Sequence, residues 1–145
     1  MIPNLVGLVG MILVSRSSDR RLERKYHAAI PAIVAGVAFL SLGATRSTVF
    51  SIGLLSFVAL GNYSLLGPLW ALPGEFLTGF SAASGIALIT SVGIVGGFVG
   101  PYAVGLISQR TGSLYGGLAL AGIPLLVSAA LLILLPKTPR ANTAA

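Results

Sequence analysis

Side chains that could carry acid, base or metal chemistry are few in this sequence. It holds one histidine, His27, and three acids, Asp19, Glu23 and Glu75, and it contains no cysteine. Without cysteine there is no thiol nucleophile, no disulfide and no Cys-based metal site. Asp19 and His27 share one basic segment and form no triad or metal-ligand pattern. We therefore predict no catalytic residue, no metal, no cofactor and no enzyme activity.

Composition indicates a membrane protein. Hydrophobic residues make up 55% of the chain and charged residues 8%, and the mean hydropathy is +0.97. These values lie far outside the range of water-soluble proteins. The net charge of +6 could indicate a nucleic-acid partner, but the basic residues lie between apolar stretches and in the tail, where membrane topology explains them better. We predict an all-α polytopic helix bundle in a lipid bilayer, without nucleic acid.

Four apolar stretches are predicted to be transmembrane helices within one partial domain, 1–145. The longest contains 26 uncharged residues, 82–107, enough to cross a bilayer with some tilt. Residues 1–15 are apolar, but a helix of about 14 residues reaches only about 21 Å, against about 30 Å of hydrocarbon. We expect a truncated span there, with an interfacial or re-entrant helix as the alternative. The four predicted helices are 28–45, 47–72, 81–107 and 114–135.

Basic residues are distributed unevenly around these spans. The predicted loop 16–27 carries five Lys or Arg residues and the tail 136–145 carries two, whereas the opposite side has Arg46 and Arg110. Loops rich in Lys and Arg stay in the cytoplasm. We predict a multi-pass protein of the cell (inner or plasma) membrane with its C-terminus in the cytoplasm.

Small and polar residues mark two of the predicted helices. Helix 81–107 has glycines at four-residue spacing, which lets helix backbones approach closely in membranes. Helix 47–72 carries polar residues near its middle, which are costly when they face lipid, and Pro68 is predicted to kink it. We interpret helix 47–72 as a cavity-lining candidate, with a purely structural kink as the alternative. The predicted helix-packing glycines are Gly93, Gly96, Gly97 and Gly100.

Four segments resemble a known family in their order and spacing. They are SSDRRLERKYH (17–27), GPLWALPGEF (67–76), SGIALITSVG (84–93) and GGFVGPYAVG (96–105). The chain resembles the C-terminal part of a major facilitator superfamily permease of the anion:cation symporter family, such as tartrate, galactonate and phthalate carriers. The resemblance implies that residues 1–15 correspond to the eighth span, that the ninth to twelfth follow, and that the first seven are absent.

The family implies alternating access, in which a small organic acid moves together with a proton or another cation. By the same resemblance, Trp70 and Thr90 would line the substrate cavity, and Asn62 and Ser64 are predicted to lie near them. The alternatives are that Trp70 is an anchor at the membrane interface and that the Thr90 hydroxyl bonds a backbone carbonyl of its own helix. A cytoplasmic latch loop would contain Asp19, Arg20 and Arg24.

The sequence departs from the family pattern both in the predicted latch loop and near the predicted cavity residues. Leu22 stands where a glycine is usual, which weakens the latch interpretation. Gly74 replaces a usual threonine, and Thr90 and Ile94 replace common asparagines, so substrate contacts could differ.

The residues themselves do not provide a complete carrier. An anion carrier needs a cation embedded in the membrane and a carboxylate that carries the proton, whereas every charge here lies in a predicted loop, turn or tail. We therefore expect the chain not to transport alone and to need the missing N-terminal half. The alternatives are a free-standing accessory or scaffold membrane protein and a small dimeric carrier.

Overall fold

The computed structural model describes residues 1–21, 23–45 and 47–135. These residues form helices and no strand, which confirms the all-α prediction. The helices are α1 (Ile2–Arg21), α2 (Arg24–Leu42), α3 (Thr48–Ala71), α4 (Pro73–Phe76), α5 (Gly79–Thr111), α6 (Leu114–Leu120) and α7 (Gly122–Leu134).

Four helical stretches among the described residues are long and apolar enough to cross a membrane. They are α2, α3, α5 and the stretch Leu114–Leu134, in which α6 and α7 follow each other with Ala121 between them. The break at Ala121 lies three residues before Pro124. Because proline has no N–H, the carbonyl of Leu120 loses its usual helical hydrogen bond. The chain is therefore a multi-pass membrane helix bundle.

Several helices extend beyond their predicted bounds, because the prediction kept charged residues out of the helices. α1 continues to Arg21, inside the predicted loop 16–27, and α2 begins at Arg24. Residues 15–21 contain no Gly or Pro, and arginine favours helix, so charge ends the apolar segment without ending the helix. α5 extends to Thr111 and stops at Gly112, whose φ of 66° is left-handed. Leu22, Arg46 and the predicted tail 136–145 lie outside the described residues.

α2 lies between α3 and α7, and small residues bring these helices close together. Ala28, Ala32 and Ala35 are almost fully buried, and their spacing places them on one helix face. A Cβ added at Gly61 of α3 would lie 2.7 Å from Cβ of Ala35. On the α7 side, a Cβ added at Gly36 would lie 2.8 Å from Cγ of Leu126. Larger side chains at these glycines and alanines would push α2 away from α3 and α7.

The α1–α3 interface is built in the same way. Gly7 faces Tyr63, and a Cβ at Gly10 would lie 2.7 Å from Oγ of Ser64. The residue numbers rise together on both helices, so α1 and α3 run parallel, whereas α2 runs antiparallel to α3. This alternation is the one expected when successive spans cross a membrane.

α5 stands apart from this packed group. Among the described helices it packs against α4 and α6, and along its whole length it has no buried residue. One of its faces is therefore left uncovered by this chain.

Candidate functional site

An apolar cavity of about 400 Å³ lies where α3 and α7 end. The residues that line it have aliphatic or aromatic side chains, so bound water would find few hydrogen-bond partners there. Residues of α3, α4, α5 and α7 meet in it because α4 follows α3 directly and turns the chain toward the start of α5. The wall consists of Leu69, Trp70, Leu72, Pro73, Phe76, Leu77, Ile89, Leu132 and Leu135.

Trp70 and Ile89 are the residues that bring α3 and α5 to the same cavity. Trp70 is 43% exposed. Thr90 is not among the lining residues; its Oγ1 donates to the carbonyl of Ile86 at 2.7 Å. Neighbouring residues of a helix point about 100° apart, so Ile89 and Thr90 face different directions.

The other two predicted cavity residues lie elsewhere on α3. Ser64 is fully buried against α1, and its Oγ has no hydrogen-bond partner among the described residues. Asn62 is exposed. The structure thus brings Trp70 together with apolar residues and does not bring Asn62, Ser64 and Thr90 to this cavity. A shared polar cavity for the four stays a prediction.

Two basic residues at the start of α2 reach the ends of neighbouring helices. Arg24 Nη1 donates to the carbonyl of Ala71 at 2.9 Å, where α3 ends. Lys25 Nζ donates to the carbonyl of Leu135, just after α7. Carbonyls at a helix C-terminus lack partners and carry partial negative charge, so cations stabilise them. These two contacts connect the start of α2 to α3 and α7.

Of the predicted latch residues, Arg24 alone makes one of these contacts. Asp19 and Arg20 are exposed on the last turn of α1. Lys25 was missed because a cluster of basic residues indicates sidedness and does not show which cation faces a helix end. The contact of Lys25 with the carbonyl of Leu135 depends on where α7 ends relative to the start of α2.

His27 joins α1 and α2. Its Nδ1 lies 2.6 Å from the carbonyl of Glu23, which can only accept, so Nδ1 donates. Nε2 lies 3.0 Å from Oγ of Ser17 on α1. Within the described ranges no group of three His, Cys, Asp or Glu side chains could hold a metal ion, and His27 has a structural contact that explains its position.

The predicted helix-packing glycines lie on the exposed face of α5. A Cβ added at Gly93, Gly96, Gly97 or Gly100 would meet no atom within 4 Å. Close approaches within the described bundle occur instead on α1, α2, α3 and α7, and at Gly117 of α6, where an added Cβ would lie 2.6 Å from the carbonyl oxygen of Val104 on α5. Packing of the α5 glycines against another helix therefore stays a prediction.

The fold defines a multi-pass helical membrane protein, and its relatives are transporters. The chain is 42% identical over 142 residues to a putative tartrate transporter of Agrobacterium vitis, covering 97% of this chain and 31% of that protein. It is 40% identical over 125 residues to a quinolone resistance transporter of Acinetobacter baumannii, with 86% and 29% covered.

A putative metabolite transport protein of Pseudomonas putida is 35% identical over 141 residues, with 93% of this chain and 31% of that protein covered. No family model and no solved structure matches the chain. The chain spans about 30% of the length of these curated relatives. It is similar to part of a transporter, and the names of the relatives support the prediction that it is not an enzyme.

Proposed function

We propose that the chain is the C-terminal part of a major facilitator transporter of the anion:cation symporter family, which moves a small organic acid with a proton or another cation. The observation that carries this proposal is the 42% identity over 97% of the chain to a protein named as a putative tartrate transporter. The sequence segments that resemble this family support the same assignment.

The chemistry of the buried residues favours a partner for this chain. Its buried polar or charged residues, among those described, are Ser18, Ser51 and Ser64, and none of them is charged. A carrier for anions needs an embedded cation, which the remaining part of the transporter would supply. The uncovered glycine face of α5 is where we place the contact with that part.

Trp70 is the residue that we assign to the substrate path. This residue lines the apolar cavity, and its indole N–H can donate to a carboxylate. α5 packs only against α4 and α6 among the described helices, so it can change position relative to α3 without breaking the packing of α1, α2, α3 and α7. This arrangement is compatible with alternating access.

A chimera tests the proposal. The 142-residue segment of the Agrobacterium vitis relative that matches this chain is replaced by the chain, and tartrate uptake into proteoliposomes is measured under an imposed proton gradient. We expect uptake by the chimera above that of empty vesicles, and none by this chain alone or by the relative without the segment.

Two outcomes would contradict the proposal. One is gradient-driven uptake by this chain alone, which would favour a small independent carrier. The other is a chimera that inserts and folds but never transports tartrate or another organic acid, while the unmodified relative does.

A further inference from the structure

The apolar cavity has two cations at its edge. Lys25 donates to the carbonyl of Leu135, and Leu135 is itself part of the cavity wall. Arg24 donates to the carbonyl of Ala71, which lies between the wall residues Trp70 and Leu72. An apolar wall and two basic side chains therefore lie next to each other.

The segment that supplies these cations is strongly basic. Residues 16–25 carry five Lys or Arg residues and two acids, a net charge of +3. Basic residues next to the end of a membrane span attract anionic lipid headgroups.

We propose that the cavity binds an acyl chain of an anionic phospholipid whose phosphate contacts Lys25 and Arg24. The wall suits a hydrocarbon chain because the side chains of leucine, isoleucine, proline, phenylalanine and tryptophan line it. Lys25 has three N–H donors, and the contact with Leu135 uses one of them, so the ammonium can also contact a phosphate oxygen.

Access to the cavity favours lipid as the occupant. Ile89 of α5 is on its wall, yet among the described helices α5 packs only against α4 and α6. The described helices therefore leave the gap between α5 and the packed group open, and in a bilayer acyl chains surround the helices of the chain. The site requires that the chain crosses a membrane and does not require that it transports.

Trp70 provides the measurement, because it is the only tryptophan in the sequence and lines the cavity. The chain is placed in bilayers of phosphatidylglycerol and phosphatidylcholine at equal mole fractions, with bromine on the acyl chains of one lipid or the other. We expect stronger quenching of Trp70 fluorescence when the bromine is on phosphatidylglycerol. Lys25→Gln should lower this preference about fivefold, the effect of about 1 kcal/mol for one basic residue near the surface.

Two further variants complete the test. Lys25→Arg should keep the preference for phosphatidylglycerol, and Arg110→Gln, at the other end of α5, should leave it unchanged. Equal quenching by both brominated lipids would overturn the proposal, as would no quenching by either, which would mean that protein fills the cavity. An equal loss of preference in Lys25→Gln and Arg110→Gln would also overturn it, since the attraction would then depend on net charge.

Discussion

Trp70 lies on the wall of the apolar cavity, and its indole ring carries one N–H donor. Its exposed fraction of 43% leaves surface for a substrate or for lipid. Lys25 and Arg24 add positive charge at the edge of the same cavity. Both proposals therefore place binding at this end of the bundle.

The chimera described above tests the role of Trp70 in transport. Trp70→Ala should lower organic-acid uptake on the order of tenfold or more, because it removes both a hydrogen bond to a charged group and the apolar contact of the ring. Trp70→Phe, which keeps an aromatic ring but loses the N–H, should give an intermediate rate. Phe57→Ala is the matched control, because Phe57 is an exposed aromatic residue on the same helix. Unchanged uptake in Trp70→Ala would remove this residue from the substrate path.

Single residues could be predicted from sequence only in part. The resemblance singled out Trp70, but the direction of Thr90 depends on how α5 is rotated relative to α3, and sequence spacing describes one helix at a time. The hydroxyl of Thr90 donates a hydrogen bond to the carbonyl of Ile86, a local bond that threonines in helices often make. The burial of Ser64 likewise depends on α1 lying against α3.

At the scale of helices, glycine and alanine set the distances within the bundle. The sequence indicated the four spans correctly, because long apolar stretches are a strong signal. It drew attention to the glycines of α5, whereas the observed close approaches involve Gly36 and Gly61. Close approach is a property of two helices, so a four-residue spacing on one of them does not identify its partner.

Gly61→Ala tests the close packing of α2 and α3. The added Cβ would lie 2.7 Å from Cβ of Ala35, and such overpacking costs about 1–3 kcal/mol. Gly53→Ala is the matched control on the same helix, since a Cβ there meets nothing within 4 Å and alanine favours helix by up to about 1 kcal/mol. Thermal unfolding in detergent, followed by circular dichroism, should show a lower midpoint for Gly61→Ala only. Equal midpoints for the two variants would contradict this packing.

At the scale of the whole molecule, the charge distribution and the positions of the helix ends indicate the same orientation in the membrane. The basic segment that predicts the cytoplasmic side also supplies Arg24 and Lys25 to the ends of α3 and α7. The starts of α2 and α5 and the ends of α3 and α7 should therefore lie on one side of the membrane. The transporter proposal and the lipid site both depend on that side being the cytoplasm.

Labelling of two cysteine variants measures this orientation directly, because the sequence has no cysteine of its own. Ser47→Cys lies between α2 and α3, Thr78→Cys lies between α4 and α5, and both positions are exposed. In intact cells, a membrane-impermeant maleimide should label Ser47→Cys, and it should label Thr78→Cys only after the cells are permeabilised. The reverse pattern, or labelling of both variants in intact cells, would contradict the orientation and with it the proposed place of this chain in a transporter.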